Sequence, residues 1–300
     1  MKTAHEILSM IFVAGMMLFT ASPAYSLPAD HYAASSVLAE GRWARVKVSA
    51  TGMHLITDAE LRKLGFTDPS KVRVYGRGGR QNAEVLNATN PDDLPQQPSV
   101  RTARGIVFFA TDEITWTPSK GDTPYTHSVH PYSHDNYYFL SDRDATDREP
   151  EKAAVSKGGS SEVTDFSARL LHEQELEFGG ESGCQIFGED FRSKTSQTFD
   201  FRRTDASAPA TMVNIRFGAK TTNGRSSLTF KANGTSLSST SNDQISSSSI
   251  SDYFQTAETS KTFDCGDESL NLSVNYSYTG TLFMARLDYI EMFYRRKLAL

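Results

Sequence analysis

Within several segments between Gln197 and Tyr294 apolar and polar side chains trade places at every second residue, and that period calls for an extended backbone. Phe199 and Phe201 flank Asp200, and Val213, Ile215 and Phe217 alternate with Asn214 and Arg216. Successive side chains of a strand point to opposite faces, so each such segment keeps one dry face and one polar face. The pattern predicts strands at Gln197–Arg202, Met212–Phe217, Leu228–Ala232, Leu270–Tyr278 and Leu282–Tyr294. Asn233-Gly234, just after one of them, is a strong hairpin signal. Arg169–Phe178 carries good helix formers and is compatible with a helix or an extended segment. Ser238–Ser251 is rich in Ser and poor in apolar residues, which predicts a mobile loop between strands. Alternating strands without a long helix favour a two-sheet antiparallel β-sandwich, jelly-roll-like, in this half of the chain.

The N-terminal half repeats the strand signal and adds a short helix. Ala44, Val46 and Val48 alternate with Trp43, Arg45 and Lys47, and Thr51-Gly52 offers a tight reversal into a return strand at Met53–Ile56. Thr57 followed by Glu60 fits a capping box, Leu61 and Leu64 supply an apolar stripe, and Gly65 can end the helix. Asp68-Pro69-Ser70 turns the chain into Val72–Tyr75, and Gly76, Gly78 and Gly79 close the block as a flexible loop. Gly105–Phe109, Ile114–Trp116 and Tyr137–Leu140 read as further strands. The fold expected is therefore mainly β, with two β-rich domains and one or two short helices. The domains span residues 30–142 and 166–300, joined by a linker over 143–165 that is nearly free of large apolar residues.

Length and charge narrow the function. A chain of 300 residues can bury two cores, and a net charge of -5 argues against a nucleic-acid surface, which normally shows a basic excess. Lys2, the apolar run Ile11–Phe19 and the small residues around Ala24-Tyr25-Ser26 read as a secretory signal peptide over residues 1–26, with cleavage after Ser26 or, alternatively, after Ala24. The mature chain is then expected to be exported, with no membrane span. Cys184 and Cys265 are the only two cysteines, so they form the one candidate disulfide; it would close a loop of about 80 residues and contribute ~4 kcal/mol through the unfolded state. Two separately buried thiols are the alternative.

Four residue groups invite a chemical reading, and each has a plainer one. His127, His130 and His134 with Asp135 resemble a metal cluster, yet their spacing matches no zinc pattern and Pro131 prevents the helix that would align them. Cys184 could be a nucleophile with His172 and either Glu173 or Asp190, but an exported cysteine with a disulfide partner is more often structural. Gly76-Arg77-Gly78-Gly79 follows a strand as phosphate loops do, without the G-x-G-x-x-G spacing. Trp43, Trp116, Tyr137 and Tyr138 could line a sugar or peptide groove, although aromatics on alternating strands more often face a core. No catalytic residue, cofactor site or metal site is expected.

Four segments carry a family resemblance. Gly41–Gly79, His130–Asp142, Gly-Cys-Gln-Ile-Phe-Gly-Glu-Asp-Phe at 183–191, and Leu287–Leu298 together resemble the N-terminal region of the PorU-type sortases of the type IX (Por) secretion system in Bacteroidetes, gingipain-like cysteine peptidases of the C25 family. In the third segment Ile186 stands where that family usually has Trp. The resemblance implies a cell-surface, outer-membrane-associated protein whose full-length form removes the C-terminal signal of cargo and joins the cargo to lipopolysaccharide. It also implies that the catalytic His and Cys lie in a peptidase domain beyond Leu300, so that this chain alone is inactive. The partners implied are that peptidase domain and an outer-membrane barrel of the PorV type. The rival readings are a stand-alone exported β-sandwich that binds carbohydrate or protein at the cell surface, and an autonomous hydrolase using Cys184.

Overall fold

The computed structural model describes residues 32–78, 92–121, 123–133, 135–143, 146–154, 159, 162–179, 185–242, 254–280 and 283–298. The chain is mainly antiparallel β and forms two compact units, one of residues 32–116 with 127–154 and one of residues 117–126 with 155–300. The expected signal peptide lies outside the described residues.

In the first unit, β1 (Trp43–Val48), β2 (Gly52–Thr57), α1 (Asp58–Lys63), β3 (Arg73–Tyr75), β4 (Ser99–Thr102) and β5 (Gly105–Ala110) follow one another. β6 (Ile114–Pro118) and β7 (Tyr125–Val129) pair with each other, and β8 (Asn136–Ser141) completes the set. Pairings run β1-β8-β3 and β2-β5-β4. The two sheets are stitched together where Gln97 N donates to Val74 O at 2.7 Å and Gly76 N to Pro95 O at 2.9 Å. The order is thus β1-β8-β3-β4-β5-β2, a curved ring that stays open between β1 and β2. Val48, Leu61, Phe66, Val74, Phe108 and Leu140 are among the buried residues filling it. Residues 146–148 lie along the same unit, since Ser99 N donates to Arg148 O and Arg73 pairs with Asp147 at 2.8 Å.

The local readings of the helix hold. Thr57 Oγ1 accepts from Glu60 N at 3.2 Å, Glu60 Oε2 accepts from Thr57 N at 2.8 Å, and Leu61 is fully buried. The return strand departs from expectation, because β2 pairs with β5 rather than with β1. Thr51 and Asp112 exchange main-chain to side-chain hydrogen bonds of 3.2 and 3.0 Å, which fixes the reversal to the end of β5 and leaves β1 to pair with β8.

The second unit contains β9 (Asp165–Glu173), β10 (Glu177–Phe178), β11 (Ile186–Phe187), β12 (Ser196–Arg202), β13 (Ala206–Thr221), β14 (Ser226–Ala232), β15 (Thr235–Asn242), β16 (Gln255–Asp264), β17 (Ser269–Tyr278) and β18 (Phe283–Lys297). Two four-stranded antiparallel sheets, β12-β17-β14-β15 and β16-β13-β18-β9, enclose a core that includes Val213, Ile215, Phe217, Leu228, Leu272 and Ile290. Omitting the short β10 and β11, eight strands distributed in this order make a jelly roll. Arg169–Phe178 is thereby extended, not helical.

Ser238–Asn242, expected as part of a loop, belongs to β15 and pairs with β14. The reason is the turn before it: Asn233 and Gly234 have φ of 45° and 83°, the left-handed pair that folds a two-residue hairpin back on itself, and Leu237 then packs against the core. Residues 243–251 of that segment lie outside the described residues. One end of the sandwich is closed by Arg203, only 1 % exposed. Its guanidinium donates to Cys265 O at 2.5 Å, Asp267 O at 3.1 Å and Ala208 O at 2.8 Å.

Gly105 is the tightest main-chain approach in the first unit. A Cβ there would stand 2.1 Å from Ile56 O and 2.7 Å from Thr57 Cα, both backbone atoms of the paired strand. Gly105→Ala is therefore expected to lose at least about 2 kcal/mol in denaturant unfolding, since the ladder itself must move.

Candidate functional site: the strap beside Arg286

The third family segment builds the most charged interior of the second unit. β9 pairs with β18 as far as Glu173 opposite Tyr289, and there it leaves the sheet. The strap 185–191 takes its place: Gly188 N donates to Leu287 O at 2.7 Å, Leu287 N to Glu189 O at 3.1 Å, and Phe191 N to Ala285 O at 2.9 Å. Phe191 is fully buried in the sandwich core. Phe187 points the other way and lies where a Cβ on Gly218 would be only 2.8 Å from its ring, with Phe254 against it at 5.2 Å. Two phenylalanines four residues apart thus clamp the strap on opposite faces of the sheet.

This clamp buries charge. Arg286 is 5 % exposed; its guanidinium bonds Glu177, stands 3.7 Å from Asp190, and reaches Gly188 O at 3.5 Å. Removing either carboxylate would leave a buried cation underpaired, a costly state. Beside it, His172 Nε2 meets Glu189 Oε1 at 2.6 Å, and the imidazole lies 4.7 Å from the Phe199 ring. Burial pushes the Glu189 carboxyl up, but its hydrogen bonds with His172 and the main chain, together with the His172 charge, hold it below the usual range.

A second polar cluster crosses the outer face of β16-β13-β18-β9. Asn214 Nδ2 donates to Glu258 and Glu291, each at 2.7 Å, Ser260 donates to Asn214 Oδ1 at 2.9 Å, and Tyr289 OH donates to Glu258 at 3.1 Å. Asn214 and Glu291 are buried although they face away from the sandwich core. Burial, reinforced by the Glu258 and Glu291 charges, raises the Tyr289 phenol, so it stays a proton donor. A bulge sets this geometry: Arg216 faces Tyr289 and Phe217 faces Leu287, which leaves Asp288 as the extra residue, paired with Arg216 at 3.1 Å.

Among the described residues, those nominated from sequence each have their own partners. His172 is held by Glu189, whereas Asp190 stands beside Arg286 and Arg192, and Glu173 is hydrogen-bonded to Glu175. Cys184 and His134 lie outside the described residues. His127 packs on Trp116 at 5.3 Å, His130 Nδ1 accepts from Tyr132 N at 3.2 Å, and Asp135 pairs with Lys47 at 2.5 Å. Among the described residues no group of three or more metal-ligating side chains is gathered. Gly78 turns its carbonyl inward to Thr111 and Asn136, an arrangement unlike a phosphate cradle, while Gly79 lies outside the described residues. The four aromatics are dispersed: Trp43 on Tyr75, Trp116 on His127, Tyr137 under Arg45, and Tyr138 in the core. Sequence reasoning missed Arg286, Glu189, Asn214 and Glu291, because an arginine or glutamate on an alternating strand looks the same whether its face is wet or covered.

Comparison with solved structures decides the relationship. The crystal structure of dimeric latent PorU from Porphyromonas gingivalis matches with a TM-score of 0.77 and 31% sequence identity, over 88% of this chain and 25% of that one. The chain is a PorU-like N-terminal region. It spans about a quarter of the length of that PorU. Two further likenesses are much weaker and carry no argument. A carbohydrate-binding module of the CBM36 type matches at TM-score 0.26 and 9% identity, over 43% of this chain and 99% of the module. The insecticidal toxin Cry8Ea1 from Bacillus thuringiensis matches at 0.29 and 15%, over 53% of this chain and 27% of the toxin. No family model and no curated protein matches the chain.

Two outcomes follow from this part of the PorU-like region. Burial raises the Glu175 carboxyl to about 7 from its ordinary 4.5, helped by the Glu173 charge, the hydrogen bond between the two, and Asp288. The folded state therefore binds this proton more tightly than the unfolded chain, and stability falls as pH rises from about 4.5 to about 7. Glu175→Gln should raise the melting temperature at pH 8, leave it unchanged at pH 4, and flatten the slope between. Cys265 is buried, with its Sγ 3.4 Å from Asp267 O, while Cys184, its partner in the expected disulfide, lies outside the described residues. Intact mass after alkylation in denaturant, with and without reductant, reads the pairing: uptake of label only after reduction is the outcome expected of the disulfide.

Proposed function

We propose that this chain acts as the non-catalytic N-terminal portion of a PorU-like cell-surface sortase of the type IX secretion system. The supporting observation is the match over 88% of the chain, at a TM-score of 0.77, to 25% of the PorU chain. In such a sortase a cysteine attacks a peptide carbonyl, the C–N bond breaks as a histidine protonates the departing amine, and the resulting thioester passes its acyl group to lipopolysaccharide, which releases the thiol. The described residues offer rigid β scaffolding instead: His172 is committed to Glu189, and Asp190 to Arg286. Its role in this reading is to support the peptidase domain or to dock to an outer-membrane barrel of the PorV type, after export through the signal peptide at residues 1–26.

The purified chain, incubated with a peptide carrying a cargo C-terminal signal, is expected to leave it intact by mass spectrometry. Cleavage that iodoacetamide abolishes would sink the proposal.

A further inference from the structure

The stretch of chain that joins the two units is anchored at each end by hydrogen bonds. On the upstream side Gln96 Nε2 donates to Thr146 O at 2.9 Å, Asp147 pairs with Arg73 at 2.8 Å, and Arg148 O accepts from Ser99 N at 2.9 Å. On the downstream side Thr164 O accepts from Leu298 N at 2.9 Å, and Asp165 opens β9. Between these anchors every described residue is exposed. Glu149-Pro150-Glu151-Lys152-Ala153-Ala154 has no regular structure and makes no hydrogen bond or ion pair among the described residues.

An endopeptidase takes its substrate as extended chain, so a bond inside a helix, a ladder or a closed turn is cut only after local unfolding, whereas a bond in an open exposed segment needs none. Pro150 fixes its own φ and pushes Glu149 towards extended backbone, which brings the segment near the conformation a protease binds. Lys152 is the one cation between Glu149 and Ala154, and small Ala153 and Ala154 follow it. The other described lysines are held. Lys47, Lys63, Lys220, Lys231, Lys261 and Lys297 lie in β1, α1, β13, β14, β16 and β18. Lys71 and Lys120 sit in turns closed by main-chain bonds, Lys71 N to Asp68 O at 3.2 Å and Ser119 N to Pro124 O at 3.0 Å. Lys194 is exposed, but it stands between the buried Phe191 and Thr195, whose carbonyl accepts from Tyr276 N at 2.7 Å. The two cores also fall on opposite sides of Lys152 in the chain: the buried residues of the first run from Val48 to Leu140, and those of the second from Phe191 to Met292. A cut there removes no residue from either core.

We propose that the peptide bond between Lys152 and Ala153 is a processing site for a lysine-directed endopeptidase, which separates the stretch of chain that carries the first core from the stretch that carries the second. In that step the C–N bond breaks and water supplies a hydroxyl to the Lys152 carbonyl carbon and a proton to the Ala153 amine, leaving a new carboxylate and a new ammonium. The test digests the full chain under native conditions with a lysine-specific endoproteinase and follows the products by intact mass. The first products should be a fragment that ends at Lys152 and one that begins at Ala153, while the circular dichroism of the mixture stays that of the intact chain. Lys152→Gln should prolong the life of the intact chain at least about tenfold. Lys152→Arg should protect equally against the lysine-specific enzyme yet leave the bond open to trypsin. A first cleavage after any other lysine from Lys47 onward overturns the proposal. So does a cut after Lys152 that appears only in step with global unfolding by denaturant.

Discussion

Every part of the second unit hangs on one ladder of main-chain hydrogen bonds, the pairing of β13 with β18. β13 is paired on its other edge by β16, and the other edge of β18 is shared in turn by β9 and by the strap 185–191. Alternation alone could not keep both halves of so long a strand facing one core. The extra residue at Asp288 resets the phase, so that Ala285 and Leu287 before it and Ile290 and Met292 after it all reach the same interior. The bulge also places Asp288 against Arg216 on the outer face, where Asn214, Glu258 and Glu291 share one hydrogen-bonded cluster.

What could be read from sequence was what is local. The capping box of Thr57 and Glu60, the left-handed turn at Asn233-Gly234 and the dry faces of Val213, Ile215 and Phe217 each depend on residues a few positions apart. Partner choice was not legible. β1 is followed at once by β2 but pairs with β8, about ninety residues later, and only the Thr51 to Asp112 contact explains why. Ser-rich β15 looked like a loop because its strand character comes from the turn that delivers it and from its neighbour β14, not from its own side chains. The bulge at Asp288 was not read either, since a strand prediction from alternation does not say where one extra residue shifts the phase between Leu287 and Ile290.

The candidate site shows the same division. The segment Gly-Cys-Gln-Ile-Phe-Gly-Glu-Asp-Phe stood out as a family motif, and the structure gives its physical content: two phenylalanines that clamp opposite faces of a sheet, and two acids between them that answer a histidine and a buried arginine. A motif of this kind is explained by the demands of folding. It identifies a PorU-like architecture through packing.

The closure at Arg203 bears on how such a region can diverge. Its three acceptors are carbonyls of Cys265, Asp267 and Ala208, atoms that every amino acid possesses. The loops it ties down can therefore exchange their side chains freely while the anchor itself admits no substitute, because a lysine presents a single nitrogen where a planar fork is needed. A guanidinium whose three partners are all main-chain atoms thus fixes the path of these loops without dictating their side chains.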